Sequence, residues 1–85
     1  MKVLEEKMTN LEKYENAFIV TFGIEKNKIG ELEYQSIQEW DSVGHMSLIA
    51  ELEDVFDIMM DTDDIIDLGS FEQGKVILGK YCIKL

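Results

Sequence analysis

Proline and arginine are absent from this 85-residue chain, and cysteine, histidine and tryptophan occur once each. A lone cysteine cannot close an internal disulfide, so no secreted, cross-linked framework is available. Zinc is excluded by the same scarcity, because no paired Cys or His ligands stand at metal-binding spacing. No apolar run approaches the roughly 18 residues of a membrane span. The opening stretch MKVLEEKMTNLEKYE is charged throughout and lacks the apolar centre of a secretion signal. These deficits predict a reducing, cytoplasmic setting. The six glycines form neither a GxGxxG nor a P-loop run. Cations are few: eight lysines face 18 Asp and Glu, a net charge of −10. A field of that sign repels phosphate backbones and anionic lipid, which argues against nucleic acid and membrane and favours partners with basic patches.

What is present is a globular composition, 46% hydrophobic and 31% charged. The length suits one domain spanning residues 1–85, near the lower limit for unaided folding, read as a monomer. Its core must come from apolar stripes, since no disulfide or metal assists. The charge is not evenly spread. Between Lys28 and Lys75 there is no lysine or arginine, and the interval from Ile29 to Gly74 holds thirteen acids. The remainder carries eight lysines against five glutamates, a net +3, so the acidity belongs to the middle of the chain.

Helical spacing dominates. Leu11, Tyr14, Phe18 and Phe22 recur at three- and four-residue steps, with Thr9 and Glu12 as a capping box and Gly23 as a stop. Met1 to Met8 extend this helix or fray. From Ile24 to Asp41 the pattern breaks into short apolar pieces, which predicts a long loop pinned to the core with a short turn of helix. Met46, Ile49, Leu52, Phe56 and Met59 define a second helix that opens at Asp41-Ser42. Residues 62–67 predict a short acidic helix. Ser70 and Gln73 open a last one running through Tyr81, weakened by Gly74 and Gly79. The expected fold is all-α: a small four-helix bundle of three main helices and one short one, with a long loop after the first.

The inventory for catalysis is thin, and no autonomous enzyme is expected. Asp41, Ser42 and His45 lie too close in sequence for triad geometry, and no oxyanion loop accompanies them. Cys82, among Tyr81, Ile83 and Leu85, reads as a small hydrophobe. An EF-hand started at Asp61 fails, because Ile65 and Ile66 fall where a ligand and a glycine are needed. What remains is Asp41-Ser42 at the mouth of the second helix. A serine there is exposed, and a phosphate on its oxygen would sit near free backbone N–H groups and the positive dipole end.

The stretch Glu39-Trp40-Asp41-Ser42-Val43-Gly44-His45-Met46, followed by Leu48-Ile49-Ala50-Glu51-Leu52-Glu53-Asp54-Val55-Phe56, resembles the Asp-Ser-Leu motif and recognition helix of the acyl carrier proteins. The acidic segment Asp61 to Leu68 and the Ser70-Phe71 opening of the last helix fit the same pattern. The resemblance implies that Ser42 carries 4′-phosphopantetheine, transferred from coenzyme A by a phosphopantetheinyl transferase, with Asp41 beside it for recognition. The chain would then shuttle thioesters between partner enzymes: an acyl-loading ligase and acyltransferases or synthases with basic patches. It implies a docking surface of Val43, His45, Met46, Glu51, Asp54, Asp57, Asp61, Asp63 and Asp64. It also implies an acyl cavity lined by Met46, Ile49, Leu52, Phe56, Met59 and Ile65. Val43 stands where the family prefers Leu. Gly44 and Ser47 stand where carriers of fatty-acid synthesis usually have acids. That form is more similar to carriers of specialised bacterial pathways, such as polysaccharide or secondary-metabolite assembly, than to housekeeping ones, with fatty-acid metabolism the other pathway the resemblance implies. An aminoacyl or peptidyl carrier and an unmodified acidic interaction module are the alternatives.

Overall fold

The computed structural model describes residues 8–85; the reading of Met1 to Met8 as an extension of the first helix falls, for residues 1–7, outside the described part. Helix α1 spans Asn10–Phe22, α2 Ser42–Phe56, α3 Thr62–Asp67 and α4 Phe71–Gly79, with a 3-10 helix at Lys26–Glu31 between α1 and α2. Among the described residues there is no strand, only an isolated bridge between Glu33 and Ser70, so the fold is all-α. No helix among them is long and apolar enough to cross a membrane.

α1 begins and ends as its residues dictate. Thr9 Oγ1 accepts from Glu12 N at 3.1 Å while Glu12 Oε1 accepts from Thr9 N at 2.9 Å, a complete capping box. Gly23 closes the helix in the left-handed conformation, its N–H donating to Ile19 O. Tyr14, Ala17, Phe18 and Phe22 are buried on one face. They form an aromatic centre: Phe18 meets Phe71 edge-on at 5.2 Å and Trp40 at 5.6 Å, and Phe22 stacks on Trp40 at 5.3 Å. Such pairs add roughly 0.5–1.5 kcal/mol each beyond simple burial. Leu48, Ile49 and Leu52 of α2 and Ile77 and Leu78 of α4 complete the core.

The long connection is pinned as expected. Ile29, Leu32 and Trp40 are buried. Its backbone is tied to the α3–α4 junction: Tyr34 N donates to Gly69 O at 2.8 Å, and Phe71 N to Leu32 O at 3.0 Å. Loop, junction and core thus form one packed wall beside the start of α2.

Two helix ends differ from the sequence-based expectation. α2 stops at Phe56, where Asp57 turns left-handed (φ 53°), and Glu53 Oε2 accepts from Met60 N at 2.9 Å. Met59 therefore leaves the helical stripe and is 84% exposed. α4 stops at Gly79 and does not reach Tyr81. Gly74 is also more than a weak point in α4. A Cβ there would run into the hydroxyl of Tyr14, which donates to Phe71 O at 2.7 Å in the buried interior. Burial pushes that phenol well above its usual range.

Candidate functional site

The mouth of α2 is built by Asp41. Its extended backbone precedes the helix, and Oδ1 accepts from Gly44 N at 2.8 Å. Of the two residues suited to cap, Asp41 takes that role, and Ser42 becomes the first helical residue. The Ser42 side chain is exposed and has no part in the cap. Gly44 follows under tight constraint. A Cβ at 44 would collide with the backbone carbonyl of Glu39 and stand 3.3 Å from a Phe22 ring carbon. The loop thus presses directly on the first turn of α2, which only glycine permits.

Beside Ser42 lies an open, mainly apolar groove of about 390 Å³. Ser42, His45 and Met46 of α2 form one side, and Ile65 and Ile66 of α3 another. Tyr34, Leu68 and Gly69 close it through the loop and the α3–α4 junction. Val43, 74% exposed, Met46, 54% exposed, and Ile66, 72% exposed, leave apolar surface open to solvent near the serine.

His45 is half-buried and not free to contact a partner through its ring nitrogens. Trp40 Nε1 donates to His45 Nδ1 at 2.9 Å. Nε2 lies 2.7 Å from Ile65 O. The ring stacks on Trp40, centroids 6.1 Å apart, and meets Tyr34 edge-on at 5.5 Å.

The structure divides the remaining site residues. Of the six side chains expected to line an acyl cavity, Met46 and Ile65 border the groove. Ile49 and Leu52 are instead sealed in the core, at 2% and 0% exposure. Phe56 packs partly buried against that core, and Met59 points to solvent. Ile49, Leu52 and Phe56 fail because the helical stripe runs into the core and only its first turn reaches the groove; Met59 fails because the helix ends before it.

Among the acids, Asp54, Asp57, Asp61 and Asp63 are exposed. Glu51 and Asp54 border a different groove, shared with Lys13 of α1. Asp64 is not a docking group. It is 6% exposed, with Lys80 Nζ at 2.8 Å on one oxygen and the Tyr81 hydroxyl donating at 2.6 Å to the other. These bonds hold its carboxyl below the usual carboxylate range and raise both partners. Among the described residues no group of three His, Cys, Asp or Glu side chains could hold a metal ion.

Tyr34, Ile66, Leu68 and Gly69 were not legible as site residues, because they reach Ser42 only through the loop-to-junction backbone pairing. The one signal was their apolar or turn character beside the helix mouths. Compared with protein-family models, curated proteins and solved structures, the chain matches none.

Proposed function

We propose that this chain is an acyl carrier, a small four-helix bundle over residues 1–85 that holds acyl groups as thioesters on 4′-phosphopantetheine joined to Ser42. The observation that carries this reading is an exposed serine hydroxyl at the first residue of a 15-residue helix, next to an apolar groove. The residues suit the group. Asp41 satisfies Gly44 N and so leaves Ser42 uncommitted. The first-turn N–H groups and the helix dipole favour a phosphodiester on that oxygen. When bound, the group would supply a terminal thiol for thioester chemistry. This chain's own residues orient the attachment point, offer Met46, Ile65 and Ile66 as apolar surface, and present exposed acids to basic partners. A phosphopantetheinyl transferase, a loading ligase and acyltransferase or synthase partners belong to this reading, as does service in a specialised bacterial pathway. Aminoacyl or peptidyl cargo is the variant within the class.

The test is loading. The protein is incubated with coenzyme A and a broad-specificity phosphopantetheinyl transferase, and its intact mass is measured. A gain of one phosphopantetheine, absent in Ser42→Ala, is expected. No gain in the folded wild type rejects the carrier. A second reading, an unmodified acidic interaction module, draws on the exposed Val43, Met46 and Ile66, which need no group on Ser42 to bind a partner.

A further inference from the structure

α3 is the least self-sufficient element of the fold. Its six residues are too few for a stable helix on intrinsic propensity. The one side chain it buries is the Asp64 carboxylate, while Ile65 is half-buried and Ile66 exposed. Ile65 packs partly buried against the core and the closing residue Leu68 is fully buried, and polar ties from other elements add to this apolar anchoring. One set joins Asp61 N and the Asp64 carboxylate to Tyr81 and Lys80 beyond the end of α4. The other is His45, reaching from α2 to Ile65 O, a last-turn carbonyl with few partners of its own.

The partners of His45 select one protonation state. An indole N–H can only donate, so Nδ1, which receives it, is bare. A carbonyl can only accept, so Nε2 carries the proton. We propose that this neutral ring is a latch. His45 holds α3 against α2 and Trp40, and a second proton on the ring releases α3 and widens the groove beside Ser42. A proton on Nδ1 sets an N–H against the indole N–H, so the Trp40 bond is lost and the stacked ring is driven off its seat.

Among the described residues no carboxylate is paired with the ring. On α2, Asp41 is committed to Gly44 N. From the loop come neutral Tyr34 and the exposed Glu33 and Glu39. On α3, Asp64 turns to Lys80 and Tyr81, and Asp61, Asp63 and Asp67 are exposed. Among the described residues no carboxylate oxygen lies within 4.0 Å of a His45 nitrogen. Asp64 is held below the usual carboxylate range by Lys80 and Tyr81. His45 is the chain's only histidine, so an imidazole signal in the spectrum belongs to it.

The latch is independent of any group on Ser42 and is tested on the unmodified full chain. Long-range proton–nitrogen correlation at about pH 8 reads the ring directly; protonated Nε2 and bare Nδ1 are expected. Amide hydrogen exchange of residues 62–67, corrected for intrinsic rates and referred to α1, is then followed down to about pH 5. Opening of α3 relative to α1 is expected to rise roughly tenfold in the wild type. In His45→Leu it should already be high at about pH 8 and change little. A proton on Nδ1 at about pH 8 overturns the latch. So does an α3 exchange profile that tracks α1, or one equally steep in His45→Leu. Should His45→Leu not fold, the wild-type tautomer and exchange profile decide alone.

Discussion

Position 44 is occupied by glycine because the Glu39 carbonyl fills the space a side chain would need. Any larger residue must push the loop off the first turn of α2. Gly44→Ala is expected to cost about 1–3 kcal/mol, read as a lower urea midpoint with an unchanged slope. Its neighbours behave differently. Asp41→Ala removes the cap on Gly44 N and should cost about 1 kcal/mol, checked by the same unfolding curve. Ser42 is exposed and outside the cap, so Ser42→Ala should stay within about 0.5 kcal/mol of wild type while abolishing loading. That separation of stability from modification is what the proposed attachment at Ser42 predicts, with Asp41 and Gly44 shaping the helix mouth beside it.

At the scale of elements, α1 and α3 stand at opposite extremes. α1 carries its own start signal, its own stop and a buried aromatic stripe. α3 depends on groups from outside itself, and its tie through Asp64 sets an acid sensitivity. A carboxyl whose folded pKa is depressed stabilises the fold above the ordinary carboxylate range, and that contribution fades as pH falls through the lowered value. Asp64→Asn should therefore be less stable than wild type at neutral pH, and the gap should close as pH falls below about 4. Thermal melts of both proteins across that range check it; a gap that stays constant would contradict the tie. Between α1 and α4 the contact is steric. Gly74→Ala would displace the Tyr14 hydroxyl from its place against Phe71 O, so this substitution should destabilise the fold despite alanine's better helix propensity.

Over the whole molecule the charge of −10 sets a further expectation. Few of the acids are paired: the ion pairs among the described residues are Lys26–Glu15, Lys28–Glu25, Lys75–Glu72 and Lys80–Asp64, and of these acids only Glu72 and Asp64 belong to the central acidic interval. Repulsion among the rest opposes the compact state and is screened by salt. The melting temperature should rise between low and moderate ionic strength, and a flat profile would show that the acids are too well solvated to repel. Glu51 and Asp54 share their groove with Lys13, and Asp61 and Asp63 share theirs with Lys80, while Asp57 is exposed and outside the ion pairs of the described residues.

Local information was enough wherever a residue's role depends on near neighbours in the chain. The Thr9–Glu12 box, the Gly23 stop, the stripe of α1 and the capped opening of α2 each span a few residues, and each appears where the spacing placed it. Periodicity misled where a helix ended early: nothing in the repeat of Met46, Ile49, Leu52, Phe56 and Met59 announces the left-handed Asp57 that expels Met59. The acidic run around Asp64 looked uniform, yet side chains 16 and 17 residues away bury one member of it. Residue order alone sufficed for the helices, the acidic character and the exposed Ser42, because caps, stripes and net charge are local or additive. The groove, the committed ring of His45 and the burial of Asp64 arise only on folding, because each needs partners that chain connectivity keeps apart and packing alone brings within bonding distance.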